Sequence, residues 1–409
     1  MNDPAAELDC YLVGGAVRDR LLGHVTYDRD WVVIGTTAEE MRTLGFEPVG
    51  QDFPVFLHPQ THEQYALARR ERKVSPGYRG FEVDTSIAVT LQEDLSRRDL
   101  TINAMAQNRD GTLIDPWGGA KDLQQRQLRH VSDAFSEDPV RILRVARFAA
   151  RYAALHFTVA EETLNLMRKM VRNGEVDALI PERVWQEMRT ALSEDQPRRF
   201  FEILHECRAL ERVLPELQPK MLQHVTLPTQ HRQNLETNLD ALEHGSRLSG
   251  SKKIRFAALL HSLGTATTDS ASVMGQNDNT APLRAVCERL RVPTTYRKLA
   301  TMVANHYTLV GELDERAPQE ILVLLQSLDA FRKPQQGADF GLACQAVLQA
   351  HGKHAIAAAR IDYLQRCLQA ALGVNLSDLS ASTVTGEARR LLVAQRRSDA
   401  ISRVDKRAS

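Results

Sequence analysis

The 409-residue sequence is poor in cysteine and carries no excess charge of either sign. Its five cysteines are an odd number without any CxxC spacing, so neither a disulfide framework nor a zinc site is indicated. Lysine and arginine together number 52, and aspartate and glutamate together also number 52. A nucleic-acid surface would therefore have to be a local cluster of basic side chains.

A targeting signal and long apolar runs are also missing. The N-terminal residues Asp3, Glu7 and Asp9 are acidic where a signal peptide would be basic, and no apolar run reaches the length needed to cross a bilayer. We therefore expect a cytoplasmic protein with no membrane partner. With 43% hydrophobic and 25% charged residues, the composition is that of a folded chain, and its length predicts two or more packed units.

The hydrophobic pattern changes about one third of the way along the chain. Up to about residue 130, short β-branched runs at 11–13, 31–34 and 55–57 alternate with Gly, Pro and Asp, as in α/β units. From Pro139 onward the apolar residues recur with helical spacing, which predicts an all-helical remainder. Segments 73–80 and 265–280 have the composition of loops.

Two aspartates stand where a strand is expected to begin. Asp28 and Asp30 directly precede the apolar run Trp31–Ile34, and residues two apart in a strand point to the same face. A convergent carboxylate pair suits a hard divalent cation such as Mg²⁺, which can activate a hydroxyl and neutralise a triphosphate. A lone Asp-x-Asp is also typical of a solvated turn, so the pair alone leaves both interpretations open.

A glycine pair stands between a predicted strand and a predicted helix. Gly14 and Gly15 follow the run Tyr11–Val13 and precede a helix that ends near Gly23. Backbone amides at such a helix start can cradle phosphates, and Arg18 lies one turn further on. The spacing fits neither a dinucleotide-binding fingerprint nor a Walker loop, and an ordinary tight turn remains the alternative.

Two further clusters combine charge with a hydrophobic core. Arg97, Arg98 and Asp99 abut the apolar positions of the segment 100–104, which indicates either a ligand contact or a solvated helix end with an ion pair. Later in the chain, arginines recur every three or four residues. They are Arg141, Arg144, Arg147 and Arg151.

Together these motifs resemble the class II tRNA nucleotidyltransferases, the CCA-adding enzymes of the polymerase β-like superfamily. The motifs occur in the family's order over about the first half of the chain. They are Leu12-Val-Gly-Gly-Ala-Val-Arg-Asp19, Asp28-Arg-Asp30, Arg97-Arg-Asp99, Asp115-Pro-Trp-Gly-Gly119-Ala-Lys-Asp122 and Glu137-Asp-Pro-Val-Arg141. The segment from Phe53 to Arg69 resembles the proteobacterial subgroup.

The resemblance implies an α+β fold and a set of site residues. It implies a nucleotidyltransferase head with a mixed β-sheet and helices at 1–135, a helical neck and body at 136–220, and a helical tail at 221–409 that binds tRNA. Asp28 and Asp30 are expected to bind Mg²⁺ and carry out catalysis. The residues expected to contact the incoming nucleotide are Gly15, Arg18, Arg98, Asp138, Arg141, Arg144 and Arg147.

The tail contains a degenerate motif. Many members of the subgroup carry a phosphohydrolase domain with a His-Asp doublet, and the corresponding place here reads His261-Ser262. Serine is a poor substitute for a carboxylate ligand, so we expect no phosphohydrolase activity and a structural, buried His261.

The activity implied is addition of C, C and A to the 3′ end of tRNA from CTP and ATP, with release of pyrophosphate. A bacterial poly(A) polymerase shares the head motifs, but we expect a strongly basic segment there in place of 50–58. Enzymes that add only the two cytidines or only the adenosine remain an alternative. A non-catalytic RNA-binding protein on the same scaffold is disfavoured because both aspartates are present. The oligomeric state is not predicted.

Asp138 and Arg141 suggest how the nucleotide is chosen without a template. Cytosine and adenine each pair an exocyclic amino donor with a ring-nitrogen acceptor, so a carboxylate and a guanidinium side by side complement both. Pro139 and Asp138 also fit the first position and the cap of a helix, with Arg141 on its surface. A cation in a first turn opposes the helix dipole, which favours a further role for Arg141.

Overall fold

The structure is a computed structural model that describes residues 3–26, 28–49, 55–73, 81–217, 228–264, 280–377 and 386–406. Within these ranges, none of the helices combines the length and the apolar character needed to cross a bilayer. Residues 50–54, 74–80 and 265–279, which hold most of the two predicted loops and the start of the segment 50–58, lie outside the described residues.

The strands of the first part form a seven-stranded mixed sheet and two small ribbons. The seven strands lie in the order β3-β4-β5-β2-β1-β8-β9, in which β2 and β5 are parallel and the other neighbours antiparallel. Strands β6 and β7 form one ribbon, and β10 and β11 the other. The strands are β1 (Asp9–Val13), β2 (Asp30–Ile34), β3 (Glu47–Val49), β4 (Val55–Leu57), β5 (Gln64–Leu67), β6 (Arg70–Lys73), β7 (Phe81–Asp84), β8 (Ala106–Gln107), β9 (Leu113–Ile114), β10 (Gln127–Leu128) and β11 (Thr158–Val159).

Both faces of the large sheet are covered, which explains its consecutive apolar residues. Val33 of β2 packs into a core with Phe56 and Tyr65, whereas Val32 packs into a second core with Leu95 and Ala104. Successive strand residues point to opposite faces, so a run such as Trp31–Ile34 supplies both cores. The three strands predicted from β-branched runs are confirmed.

The helices account for most of the rest of the described chain, and the predicted α+β fold is confirmed. They are α1 (Gly15–Leu21), α2 (Ala38–Thr43), α3 (Leu91–Ser96), α4 (Gly119–Gln125), α5 (Val140–Arg151), α6 (Glu161–Arg172), α7 (Pro181–Ala191), α8 (Arg198–Glu206), α9 (Leu210–Val213), α10 (Pro228–Leu248), α11 (Lys252–Leu259), α12 (Ala281–Arg289), α13 (Thr294–Val310), α14 (Pro318–Ser327), α15 (Pro334–Ala350), α16 (His354–Leu372) and α17 (Gly386–Ser402).

The prediction that everything after Pro139 is helical needs one correction. The two residues of β11, Thr158 and Val159, pair in parallel with Gln127 and Leu128 of β10. The pairing links the segment that follows α5 to the segment that precedes α5. Two residues carry too little periodicity to be recognised as a strand, and backbone hydrogen bonds to a distant segment decide their conformation.

The chain groups into two compact units. The first comprises Met1–Glu187 and Arg199–Val213, and the second comprises Met188–Arg198 and Leu214–Ser409. The first unit thus contains the large sheet, the helices α1 to α6, most of α7 and α8, and α9. The finer division into a head at 1–135, a neck and body at 136–220 and a tail at 221–409 stays a prediction.

Candidate active site

The register of β1 and β2 brings the predicted carboxylate to the predicted glycine turn. Asp30, the first residue of β2, lies opposite Val13, the last residue of β1. Gly14 follows with φ of +67°, a conformation that residues with a Cβ rarely adopt, and Gly15 begins α1. The first turn of α1 and the aspartate that begins β2 therefore lie close together, at the point where β1 ends and β2 begins.

Arg98 fills the space beside this turn. A Cβ atom on Gly14 would lie 2.9 Å from Nη1 of Arg98, so the glycine is needed for close approach as well as for its φ angle. Nη2 of Arg98 donates to Asp94 at 3.1 Å, and Asp94 is fully buried. Arg97 donates to the other carboxylate oxygen of Asp94 at 2.6 Å. A single buried carboxylate thus fixes both arginines of the predicted cluster.

Asp28 and Asp30 are exposed, and neither carboxylate forms a hydrogen bond or an ion pair with any described residue. Partial desolvation raises the pKa of the Asp30 carboxyl, the Arg98 guanidinium opposes this, and the Asp28 carboxylate adds to it. The two carboxylates therefore influence each other while both remain free to bind a ligand. Asp28 lies just before the strand, so strict strand alternation does not extend to it.

The donor set fits a hard divalent cation. Among the described residues no group of three or more His, Cys, Asp or Glu side chains is arranged to hold a metal ion, so the pair offers only its own carboxylate oxygens. A cation that keeps several waters and is shared with substrate phosphates is bound by one or two protein carboxylates. Nucleotidyltransferase family enzymes generally use a divalent metal. The residues present fit such an ion.

A continuous chain of polar side chains, buried except at Arg144, runs from α1 to α5. Arg18 is 4% exposed, donates through Nε to Asp19 at 2.8 Å, and donates through Nη1 to Oδ1 of Asn103 at 2.5 Å. Nδ2 of Asn103 donates to Oδ1 of Asp99 at 2.9 Å. Oδ2 of Asp99 accepts from Nε of Arg144 at 2.7 Å. The chain links two residues predicted to contact the nucleotide, Arg18 and Arg144.

Asp99 is the charged centre of this chain. Burial alone would raise the pKa of its carboxyl, but the Arg144 guanidinium and the hydrogen bonds from Asn103 and the Leu100 amide lower it to about 2. The same ion pair raises the pKa of Arg144. Both groups therefore remain charged at neutral pH, and the pair is an internal anchor of the first unit.

The other arginines of α5 are also held by specific partners. Arg141 is 8% exposed and donates to the carbonyl oxygens of Ala134, at 2.8 Å, and Arg97, at 2.5 Å. The alternative in which Arg141 is only a surface arginine is therefore excluded. Arg147 donates to Glu187 at 2.6 Å, and its guanidinium carbon lies 4.5 Å from the centroid of the Phe148 ring. These contacts fix the arginines in place along one helix.

Asp138 stands one residue before the cap position of α5, because the helix begins one residue later than predicted. Pro139 flanks the helix, and Val140 is its first residue. Oδ1 of Asp138 accepts from the amide of Val140 at 3.0 Å, and Oδ2 lies 3.5 Å from Nη2 of Arg183. Helix ends are commonly assigned with such an offset because the first turn makes few helical hydrogen bonds. The carboxylate is 24% exposed, so part of it remains accessible.

The segment Asp115–Asp122 packs against the turn Thr101–Asn103 beside the site. Both carboxylate oxygens of Asp115 accept amides at the start of α4, and Asp122 accepts from Thr101 at 2.6 Å. A Cβ on Gly119 would lie 2.3 Å from the carbonyl oxygen of Thr101. This close packing positions the turn Thr101–Asn103, whose last residue belongs to the buried polar chain.

Sequence reasoning did not single out four of the residues that organise the site. They are Asp94, Asn103, Tyr152 and Glu187. Tyr152 donates its hydroxyl to Asp19 at 3.2 Å, and its ring centroid lies 5.4 Å from the guanidinium carbon of Arg18. The role of Asn103 could have been predicted, because a polar residue beside the apolar positions 100, 102 and 104 needs a buried hydrogen-bond partner.

In the second unit, His261 is a buried, hydrogen-bonded histidine. It is 1% exposed, and its Nδ1 lies 2.8 Å from the carbonyl oxygen of Ala258. Its Nε2 lies 3.3 Å from that of His351. Burial and, to a smaller extent, His351 lower its pKa to about 4, despite the bond to Ala258. The predicted core position of His261 is confirmed, whereas the absence of phosphohydrolase activity stays a prediction.

Two family models match the chain. The model described as the poly A polymerase head domain matches residues 10–129, and the model described as the probable RNA and SrmB-binding site of polymerase A matches residues 156–221. The first match contains the aspartate pair, the glycine turn and Arg98. The head model and the site together define a nucleotidyltransferase.

Curated relatives identify the family within this class. The multifunctional CCA protein of Thioalkalivibrio sulfidiphilus is 51% identical over 386 residues, which are 92% of this chain and 94% of the relative. That of Nitrosococcus oceani is 49% identical over 391 residues, which are 93% of this chain and 95% of the relative. The chain belongs to the family of the multifunctional CCA proteins. The predicted family and the predicted tRNA nucleotidyltransferase class are thereby confirmed.

Solved structures agree at the level of the fold. A CCA-adding enzyme in complex with CTP has a TM-score of 0.66 and 22% identity, and the match covers 97% of this chain and 87% of that one. The Thermotoga maritima CCA-adding enzyme complexed with tRNA has a TM-score of 0.65 and 20% identity, and the match covers 98% and 90%. At such identities the likeness concerns the fold alone.

Proposed function

We propose that this chain adds C, C and A in turn to the 3′ end of tRNA, using CTP and ATP and releasing pyrophosphate at each step. The observation that carries the proposal is the register in which Asp30 lies opposite Val13, because Asp30, with Asp28 two residues before it, then adjoins a glycine turn that could cradle phosphates. The close relationship to the multifunctional CCA proteins supports the choice of substrate.

In the proposed reaction the 3′ hydroxyl of tRNA attacks the α-phosphorus of the bound nucleotide. A new phosphodiester bond forms, the bond to the β-phosphate oxygen breaks, and the hydroxyl proton is lost to solvent. The amide of Gly15 and the guanidinium groups of Arg18 and Arg98 hold the triphosphate and offset its negative charge. Arg18 is positioned for this by Asp19 and Asn103, which bond its Nε and Nη1.

Asp28 and Asp30 are the residues that would hold the divalent cation, which we propose to be Mg²⁺. When bound, the ion favours loss of the hydroxyl proton and stabilises the charge that develops on pyrophosphate. Arg98 limits the repulsion between the two carboxylates, since it lowers the pKa of Asp30 against the effects of burial and of Asp28.

Substitution of either aspartate tests this assignment. Asp28→Asn and Asp30→Asn should each reduce CTP incorporation into tRNA lacking its CCA end by several orders of magnitude. Affinity for tRNA should change little, because it depends mostly on Lys and Arg contacts elsewhere. Asp9→Asn, which changes an exposed aspartate at the opposite end of β1, is the matched control and should leave turnover unchanged. Near-normal turnover of either variant in Mg²⁺ would refute the metal-pair assignment.

We further propose that Asp138 and Arg141 read the base edge. Asp138 can accept from the amino group of cytosine or adenine, and Arg141 can donate to the neighbouring ring nitrogen. Guanine and uracil would place a carbonyl oxygen against the carboxylate and leave polar groups unpaired. Because both terminal nitrogens of Arg141 are bonded to carbonyl oxygens, base recognition would exchange at least one of these bonds.

The test is the ratio of nucleotides incorporated, which is independent of how much enzyme is active. Asp138→Ala and Arg141→Ala should each admit UTP or GTP, with selectivity falling by up to about four orders of magnitude. Arg147→Ala, on the same helix, should leave the ratio unchanged. Full preference for CTP and ATP in both variants would refute base reading and leave Asp138 only as an acceptor for the first amide of α5.

The same assay separates full CCA addition from its alternatives. With all four nucleoside triphosphates present, product sequencing should show C, C and A and then termination. A long adenosine tail would instead establish a poly(A) polymerase, the activity named in the matching head model. Products that end after two cytidines, or that gain only the adenosine, would identify a partial enzyme.

A further inference from the structure

The second unit contains a cavity with a concentration of lysine side chains. Its volume is about 500 Å³. Three lysines and a single aspartate supply the charged groups of its lining, and these are Lys253, Lys298, Lys333 and Asp339. Other polar groups come from Thr295, Gln335 and Gln336, and no aromatic side chain is among the lining residues. For a chain of zero formal net charge, this is a local excess of positive charge.

The three lysines are only partly neutralised by ion pairs. Lys298 is exposed, and its side chain forms no hydrogen bond or ion pair with a described residue. Nζ of Lys253 lies 3.6 Å from Asp339, and Nζ of Lys333 lies 3.8 Å from Asp329, both beyond ordinary hydrogen-bond length. Oδ1 of Asp339 already accepts from the Gln335 amide at 2.9 Å. The cavity therefore has more positive charge than its own carboxylates can neutralise.

Two of these lysines stand at helix N-termini, where a cation is unfavourable in the protein by itself. Lys253 lies in the first turn of α11 and Lys333 immediately precedes α15, whereas Lys298 is the fifth residue of α13. A helix N-terminus carries partial positive charge, so a cation there is disfavoured and an anion favoured. None of the three helices has a side chain capping its first turn. An anion in the cavity would offset the repulsion among all these groups.

We infer that this cavity binds backbone phosphates of tRNA, an inference that rests on the proposed function. Lysine is a flexible point charge without the planar fork of arginine, which suits contact with a phosphate backbone. The lining offers no aromatic ring on which a base could stack, so the site is equipped for the backbone and not for sequence. The three basic doublets that flank the cavity are Lys252-Lys253, Arg297-Lys298 and Arg332-Lys333.

The experiment measures binding of tRNA lacking its CCA end by fluorescence anisotropy at several salt concentrations. The triple variant Lys253→Gln, Lys298→Gln and Lys333→Gln should bind about tenfold or more weakly, and the slope of log K against log salt should fall by about 2–3. The triple variant with arginine at these positions should bind like wild type. Thermal unfolding checks that each variant is folded.

A single-site comparison controls for general loss of charge. Lys298→Gln should weaken tRNA binding by a few-fold. Lys353→Gln should not, although Lys353 is also exposed and stands at the start of a helix in this unit. Equal effects of the two changes, or a triple variant with wild-type affinity and salt slope, would overturn the inference.

Two further measurements, tRNA extension and pyrophosphate binding, distinguish this inference from its alternatives. If wild type extends tRNA while the triple variant binds tRNA normally, only the cavity assignment fails. If wild type does not extend tRNA, the proposed function fails first. Titration with inorganic pyrophosphate tests a small phosphorylated ligand as the other source of anionic charge. Calorimetric binding that disappears in the triple variant, together with unchanged tRNA affinity, would replace the RNA backbone by such a ligand.

Discussion

Replacement of Asp99 by asparagine should weaken the first unit by an amount that the structure allows to be estimated. Asp99 is 6% exposed and pairs with Arg144 at 2.7 Å. Its pKa falls from the ordinary 3.8 to about 2, and each pH unit corresponds to about 1.4 kcal/mol. Asp99→Asn should therefore lower the free energy of unfolding by about 2–3 kcal/mol at neutral pH, since the amide keeps the shape but not the charge.

The dependence on pH gives this prediction its sharpest test. A carboxylate whose pKa is lowered in the folded state contributes its full stability above the unfolded value and loses it as pH falls toward the folded value. The difference in unfolding free energy between wild type and Asp99→Asn should therefore be constant above about pH 4 and should shrink from there toward about pH 2.

Thermal unfolding followed by circular dichroism measures the effect. For a unit of this size the loss should lower Tm by about 5–10 °C. Asp133→Asn changes an exposed aspartate in the same unit and should leave Tm within about 1 °C. An Asp99→Asn protein with wild-type Tm, or a stability difference that does not vary between pH 4 and pH 2, would refute the assignment of Asp99 as a charged internal anchor.

Two further predictions concern packing and nucleotide affinity. Gly119→Ala should cost about 1–3 kcal/mol of stability, because its Cβ would stand 2.3 Å from the Thr101 carbonyl oxygen. Gly250→Ala is the control, because no atom lies within 4 Å of the added Cβ. Equal Tm values for the two variants would contradict the close approach at Gly119. Arg144→Ala and Arg147→Ala should mainly raise the KM for CTP and ATP and leave kcat at saturating nucleotide nearly unchanged. A fall in kcat with unchanged KM would contradict a binding role.

The parts of the site that follow local rules were accessible from the sequence. A strand followed by two glycines and a helix predicts the turn at Gly14, and an apolar run after Asp30 predicts the start of β2. The pairing that brings them together was not accessible, because register depends on hydrogen bonds between strands and not on either strand alone. The sequence therefore indicated the residues of the site without their arrangement.

The hydrogen-bond partners of the arginines were harder to predict from the sequence than the strands and turns. The enclosure of Arg141 was not predicted, because its position in a first turn says nothing about the carbonyl oxygens of Ala134 and Arg97. Asp94 could not be recognised as fully buried, since aspartate within a short helix is usually exposed. In both cases, segments distant in the chain decide whether a charged side chain is enclosed.

The buried polar chain from Arg18 to Arg144 also bears on synthesis of the protein. Arg18 and Asn103 are 85 positions apart, and Asp99 and Arg144 are 45 apart. Contacts between such distant positions form only after long stretches of chain have been made, and they slow folding. A nascent chain that ends before α5 can contain every strand of the large sheet, yet it still lacks the cation that neutralises Asp99. Helix α5 must therefore have left the ribosome before Arg144 can pair with Asp99, and α7 before Arg147 can pair with Glu187.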